Sequence, residues 1–95
     1  GCTEEISREF LRISVLEDAR TFDKKQRDYG PRNIATFMEV GVLVRVSDKV
    51  ARLVNLIWMR ESEPENESIE DSWRDLSVYS VIARLCRRGK WSVSE

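Results

Sequence analysis

Glu67, Asp71 and Asp75 recur at strict four-residue spacing in the stretch ESIEDSWRDL. On a helix this spacing puts three carboxylates in one row, where like charges cost roughly a few tenths of a kcal/mol per pair even in water. Burial raises that cost steeply unless something compensates. Protonation, a Lys or Arg partner, or a hard divalent cation would each do so. Mg²⁺ takes oxygen ligands and keeps waters and substrate phosphates in its shell, and helix bundles build such sites from inward-facing acids. The plainer reading is a solvated acidic row beside Arg74, since acids in early helix turns suit the helix dipole. Spacing alone favours that plainer reading. The same holds for Asp48, which stands next to Lys49 and one turn before Arg52. Surface ion pairing explains that trio without a ligand. Glu17 is more pointed, because it continues the apolar stripe Ile6, Phe10, Ile13.

Other chemistries are closed off by what the chain lacks. With no histidine, Ser-His and Cys-His catalysis and most zinc sites are excluded. A site here must be made of carboxylates, amines, guanidiniums and hydroxyls. The two cysteines, Cys2 and Cys86, lie far apart in unlike contexts, which argues against a disulfide framework and for a reducing, cytoplasmic setting. Cys86 beside Ile82 and Leu85 reads as a small buried hydrophobe. Seventeen acids against sixteen bases give a net charge of −1, so direct nucleic-acid binding, which usually shows as a basic surplus, is not expected. No run of eighteen apolar residues occurs and no signal-peptide pattern is visible, so no membrane association is expected.

These groups must be positioned by helices. Gly30-Pro31 and Pro64 break the 95-residue chain into three segments, each too long for a strand. The expectation is a single all-α domain over residues 1–95 with three long helices, roughly 3–27, 35–60 and 66–88. Thr3 is the candidate N-cap of the first helix, and Gly89 is the expected C-terminal stop of the third. In the second helix Val40, Leu43, Val46, Val50, Leu53 and Ile57 form a heptad-like stripe, widened by Val42, Val44, Val54 and Leu56. Arg45, Asp48 and Arg52 take the remaining polar face. In the third helix Val78, Ile82 and Leu85 share an arc of about 80° with the three acids. Ile69, Trp73, Leu76 and Ala83 form a second apolar face, with Trp73 expected in the core, Tyr79 half-buried and Trp91 closing over a groove or a partner. A small domain with helices apolar on two sides is expected to complete an antiparallel bundle by homodimerisation.

Three segments, KKQRDYG (24–30), VRVSDKVARLVNL (44–56) and ESIEDSWRDLSVYSVIA (67–83), occur in an order that resembles one family. They look like the phage-type, nucleotide-modification-associated branch of the MazG-like all-α NTP pyrophosphohydrolases. That branch is similar in carrying K-x-x-D-Y-G, then R-x-x-D-K-x-x-R-L, then E-S-x-x-D-x-x-x-D-L-x-x-Y. The resemblance covers about residues 17–85.

It implies an all-helical, commonly dimeric protein that uses Mg²⁺, or Mn²⁺ in its place, to split a nucleoside triphosphate into monophosphate and pyrophosphate. By this resemblance Glu67, Asp71 and Asp75 are the catalytic acids, and together with Asp48 they are the metal ligands. Lys25, Tyr29, Arg45, Lys49 and Arg52 bind substrate. Standard MazG proteins carry a denser E-E-x-x-E on the earlier helix, where this chain offers Asp48, with Glu17 or Asp28 as substitutes. A non-catalytic helical module, binding a nucleotide or a protein partner, is the alternative.

Overall fold

A computed structural model of the chain describes residues 1–29, 34, 37–59 and 68–91, without the side chains of Asp28 and Tyr29. Every element among the described residues is helical, and none is a strand. The first continuous helix consists of α1 (Cys2–Leu11), a wider π-type stretch over Arg12–Asp18, and α2 (Ala19–Tyr29). The second is α3 (Met38–Leu53), which runs on as a π-type stretch over Val54–Met59. The third is α4 (Ile69–Arg87). All three fall where the Gly and Pro breaks placed them, within about three residues at each end, as helix ends allow. No described helix is long and apolar enough to cross a membrane.

The chain divides into two units, Gly1–Gly30 and Pro31–Glu95. The first is the single helix from Cys2 to Tyr29. One helix has no second element in its own unit to cover a stripe, and Ile6, Phe10 and Ile13 are exposed. Thr3 does not cap it. The helix already begins at Cys2, and the terminal ammonium of Gly1 lies 3.2 Å from Glu4 Oε2 instead.

In the second unit α3 packs on α4. Glu39 pairs with Arg87 at 2.7 Å and Lys49 with Asp75 at 3.0 Å. The core between the two helices is built from Val42 and Leu53 on one side and Val78 and Ile82 on the other, with Ser72 fully buried among the polar residues. Burying each such aliphatic side chain is worth roughly 1.5–3 kcal/mol.

Two expectations about faces change here. On α3, Val40, Leu43, Val50 and Ile57 of the anticipated stripe are exposed, and only Val46 and Leu53 are turned inward. The buried face is centred on Val42, Val46, Lys49 and Leu53, rotated by about 70° at 100° per residue. The rotation brings Lys49 to Asp75. On α4 the row Asp71, Asp75, Val78, Ile82, Leu85 does face inward. The second face is covered only in part: Ile69, Leu76 and Ala83 are half-buried, while Trp73 is 55% exposed, so it is not a core residue. The side of α4 that packs on α3 is the covered one at Asp75, and Trp73 lies about 160° round from it.

The end of α4 follows the Schellman pattern. Gly89 holds φ +67°, its N–H donates to the Cys86 carbonyl at 3.1 Å, and the Lys90 N–H donates to the Leu85 carbonyl at 2.9 Å. The turn sends the chain back so that Trp91 is buried. A side chain at Gly89 meets no neighbour, so Gly89→Ala should cost only the left-handed backbone penalty, about 1–2 kcal/mol. Thermal unfolding of the variant measures it. An unchanged midpoint would mean that the turn does not hold the helix end.

Candidate functional site

α3 brings Lys49 to the inner face between Arg45, one turn before it, and Arg52, one turn after it. All three side chains are half-buried, and each is engaged in contacts. α4 presents Asp75 to the same interior. The Lys49 Nζ lies 3.0 Å from Asp75 Oδ2, with the lysine side chain 23% and the carboxylate 8% exposed. The geometry is that of an ammonium at the edge of the interface with its counter-charge behind it. At this distance and burial the pair is a charge-assisted hydrogen bond, which is stronger than a neutral one.

Asp71 is committed differently. Ser68 is the N-cap of α4, and its hydroxyl oxygen accepts the Asp71 backbone N–H at 3.0 Å. The Ser68 hydroxyl is also the main reason the Asp71 pKa sits below the usual 3.8. The Ser68 backbone N–H and the Arg74 guanidinium lower it further, while partial burial opposes them. Arg74 Nη1 lies 2.7 Å from Asp71 Oδ1. Asp71 thus stands at the third position of α4, where a capping box usually has glutamate. Of the three compensations open to the acidic row, both described acids use the same one, a basic partner: Lys49 for Asp75 and Arg74 for Asp71.

Ser68→Ala should cost about 1 kcal/mol by removing the cap. A carboxylate whose folded pKa is lowered stabilises above the unfolded value and loses that contribution as pH falls through the folded value. The acid-side loss of stability, followed by thermal unfolding between about pH 2 and 5, should therefore be shallower in Ser68→Ala. An equally steep loss would show that Asp71 is not held by the cap.

The remaining anticipated residues are placed as follows. Asp48 is exposed and lies one position round α3 from Lys49. Lys25 lies half-buried on α2 in the first unit, as does Glu17 in the π-type stretch before it. Glu67 and the side chains of Asp28 and Tyr29 lie outside the described residues. No group of three or more acids or cysteines in reach of one metal ion occurs among the described residues. Of the described donors that the resemblance offers to Mg²⁺, Asp75 is closed by Lys49, Asp71 is held in the cap, and Asp48 faces out. As they stand these donors do not fit the ion.

Besides Lys49–Asp75, two more contacts were not read from the sequence. The Ser68 cap was legible in principle, since S-x-x-D before an apolar run is a helix-start signature. The Glu39–Arg87 pair was not, because nothing local relates residues 48 positions apart. It flanks a groove of about 380 Å³ between α3 and α4 that Tyr79 and Val46 also line. The Cys86 thiol is pushed up by burial and then by the Glu39 charge, which keeps it protonated and poorly nucleophilic, as its apolar setting suggested. Compared with protein-family models, curated proteins and solved structures, the chain matches none.

Proposed function

We propose that this chain is a MazG-like helical protein that binds the polyphosphate of a nucleoside triphosphate on the Arg45–Lys49–Arg52 face of α3. One observation carries the reading: Lys49 and Asp75 touch at 3.0 Å inside the second unit. They belong to the two segments that resemble the family's second and third motifs, so the residues that suggested the family are also neighbours in space. Lys supplies a point charge for phosphate and Arg a bidentate fork.

Hydrolysis to monophosphate and pyrophosphate is the second reading, favoured by the same meeting of motifs. In the family that chemistry uses Mg²⁺, and the described acids are committed elsewhere. The binding module therefore stands first. Incubating the chain with each ribo- and deoxyribonucleoside triphosphate, with and without Mg²⁺ or Mn²⁺, separates the readings. Heat of binding without product supports the module, and release of pyrophosphate establishes the hydrolase. The absence of binding, turnover and thermal shift with every nucleotide would leave a plain interaction protein.

The reading includes a second copy. The order of contacts, Glu39 with Arg87 and Lys49 with Asp75, supports an antiparallel arrangement of α3 and α4. Val40, Leu43, Ser47 and Val50 of α3, with Val54 and Ile57 of the π-type stretch that continues it, recur at alternating spacings of three and four, all exposed. That is a coiled-coil seam. A copy of the same seam matches it in length and polarity, with Ser47 as the one polar residue on each side, and the pair would complete a bundle.

A further inference from the structure

We propose that the second copy on the α3 seam runs antiparallel to it and seats its own Ile57 and Val54 against the groove between α3 and α4. The inference rests on the two-copy reading above and adds to it an orientation and a register. From Val40 to Ile57 the seam spacings are three, four, three, four, three. They read the same from either end. An antiparallel copy therefore meets the seam layer by layer about a two-fold axis between Ser47 and Val50. Val40 faces Ile57 of the partner subunit, Leu43 faces Val54 of the partner subunit, and Ser47 faces Val50 of the partner subunit.

Side-chain size decides between this arrangement and a parallel one. A parallel pair in register stacks Leu43 on Leu43 next to Ser47 on Ser47, a crowded layer beside a hollow one. Close-packed interiors tolerate neither voids nor overfilling. The antiparallel pair sets a larger side chain against a smaller one in every layer. Ser47 has no need of a second serine either. Its hydroxyl already donates to the Val44 carbonyl at 2.7 Å, so a valine can cover it without orphaning the donor.

The groove gives the copy its seat. It holds about 380 Å³ and is lined by Val40, Leu43 and Val46 from α3 and by Tyr79 and Ala83 from α4. Val40 and Leu43 are also the first two residues of the seam, and they are 69% and 66% exposed in the single chain. Their opposite numbers in the antiparallel register, Ile57 and Val54 of the partner subunit, cover them and close the groove.

The test uses the full chain with Cys2→Ser and Cys86→Ser as the background, so that only introduced thiols react. Val40 and Ile57 are 17 residues apart (57 − 40). That is about 25 Å along the helix, too far for a disulfide within one chain. Val40→Cys with Ile57→Cys should cross-link into covalent dimers under mild oxidation, and so should a mixture of the two single variants. Either single variant alone should stay free of cross-links. Leu43→Cys with Val54→Cys should behave in the same way, and it decides if the first pair does not fold. Ala83→Phe, which fills the groove from α4, should weaken the dimer by about tenfold or more in sedimentation equilibrium, the scale of an overfilled packed site. A single Val40→Cys variant that cross-links to itself overturns the antiparallel copy while the two-copy reading stands. A dimer that neither cysteine pair cross-links does the same. An undiminished dimer in Ala83→Phe overturns the seat in the groove. A parent chain that sediments as a monomer overturns the two-copy reading and the proposal together.

Discussion

Lys49→Met should lower the stability of the chain by about 2–3 kcal/mol, measured by urea unfolding at neutral pH. Removing one partner of a buried ion pair typically costs about 3–5 kcal/mol because the other charge is left behind in a poor solvent. The lower figure applies because Lys49 is 23% exposed and water reaches part of the pair. Asp75 is the more deeply buried member, so stranding it is the costlier of the two single changes. Lys49→Met combined with Asp75→Leu should recover most of the loss, since a well-packed apolar pair often equals a buried ionic one. The recovery isolates the stranded charge as the cause, because loss of lysine packing would persist in the double variant. A change of less than about 0.5 kcal/mol in Lys49→Met would place the pair among ordinary surface contacts and remove the support for a fixed ammonium.

Leu43→Asp with Ile57→Asp should convert a dimer to a monomer. The two residues lie two heptads apart on the exposed seam of the second helix, Leu43 at the rim of the α3–α4 groove and 66% exposed, Ile57 in the π-type stretch and 43% exposed. The change should leave the fold of the unit intact by circular dichroism while charging two apolar layers of the interface. Truncating a central interface residue costs about 2 kcal/mol or more, and placing a carboxylate there adds desolvation and repulsion against its own copy. A weakening of the dimer by at least about 100-fold, or some 2.7 kcal/mol, is expected. Sedimentation equilibrium at micromolar concentration measures it. A parent chain that sediments as a monomer, or a double variant that still dimerises like the parent, would refute the seam.

How far the sequence could be read follows from which interactions are local. Helix positions were legible because Gly, Pro and capping residues act within a few positions. Gly89 ended α4 as anticipated, and period alone put Asp71, Asp75, Val78, Ile82 and Leu85 on one face, though it favoured a solvated row at the acids where the structure buries Asp75. The choice of face on α3 was not legible. Val40, Leu43, Val50 and Ile57 are more apolar than the face that is buried, and hydrophobicity alone picks them. A lysine on the packed face looks like an error until the aspartate opposite it is known, and that pairing spans 26 residues (75 − 49). Trp73 was misplaced for a related reason. Its size argues for burial, but only a neighbouring element can bury it. The candidate site was named residue by residue, yet its internal bookkeeping was not: the acidic row was read as one set, and the structure divides it between a helix cap and an ion pair.

The return of the chain after Gly89 gives the second unit an optical reporter. Trp91 is 8% exposed, whereas Trp73 is 55% and Trp58 80% exposed. The two outer indoles already emit from water and contribute a nearly constant background. The blue, shielded part of the emission belongs to Trp91, a residue held by the turn that closes α4. Its red shift would register the release of the C-terminal turn, even where the helical content of the chain has not yet begun to fall.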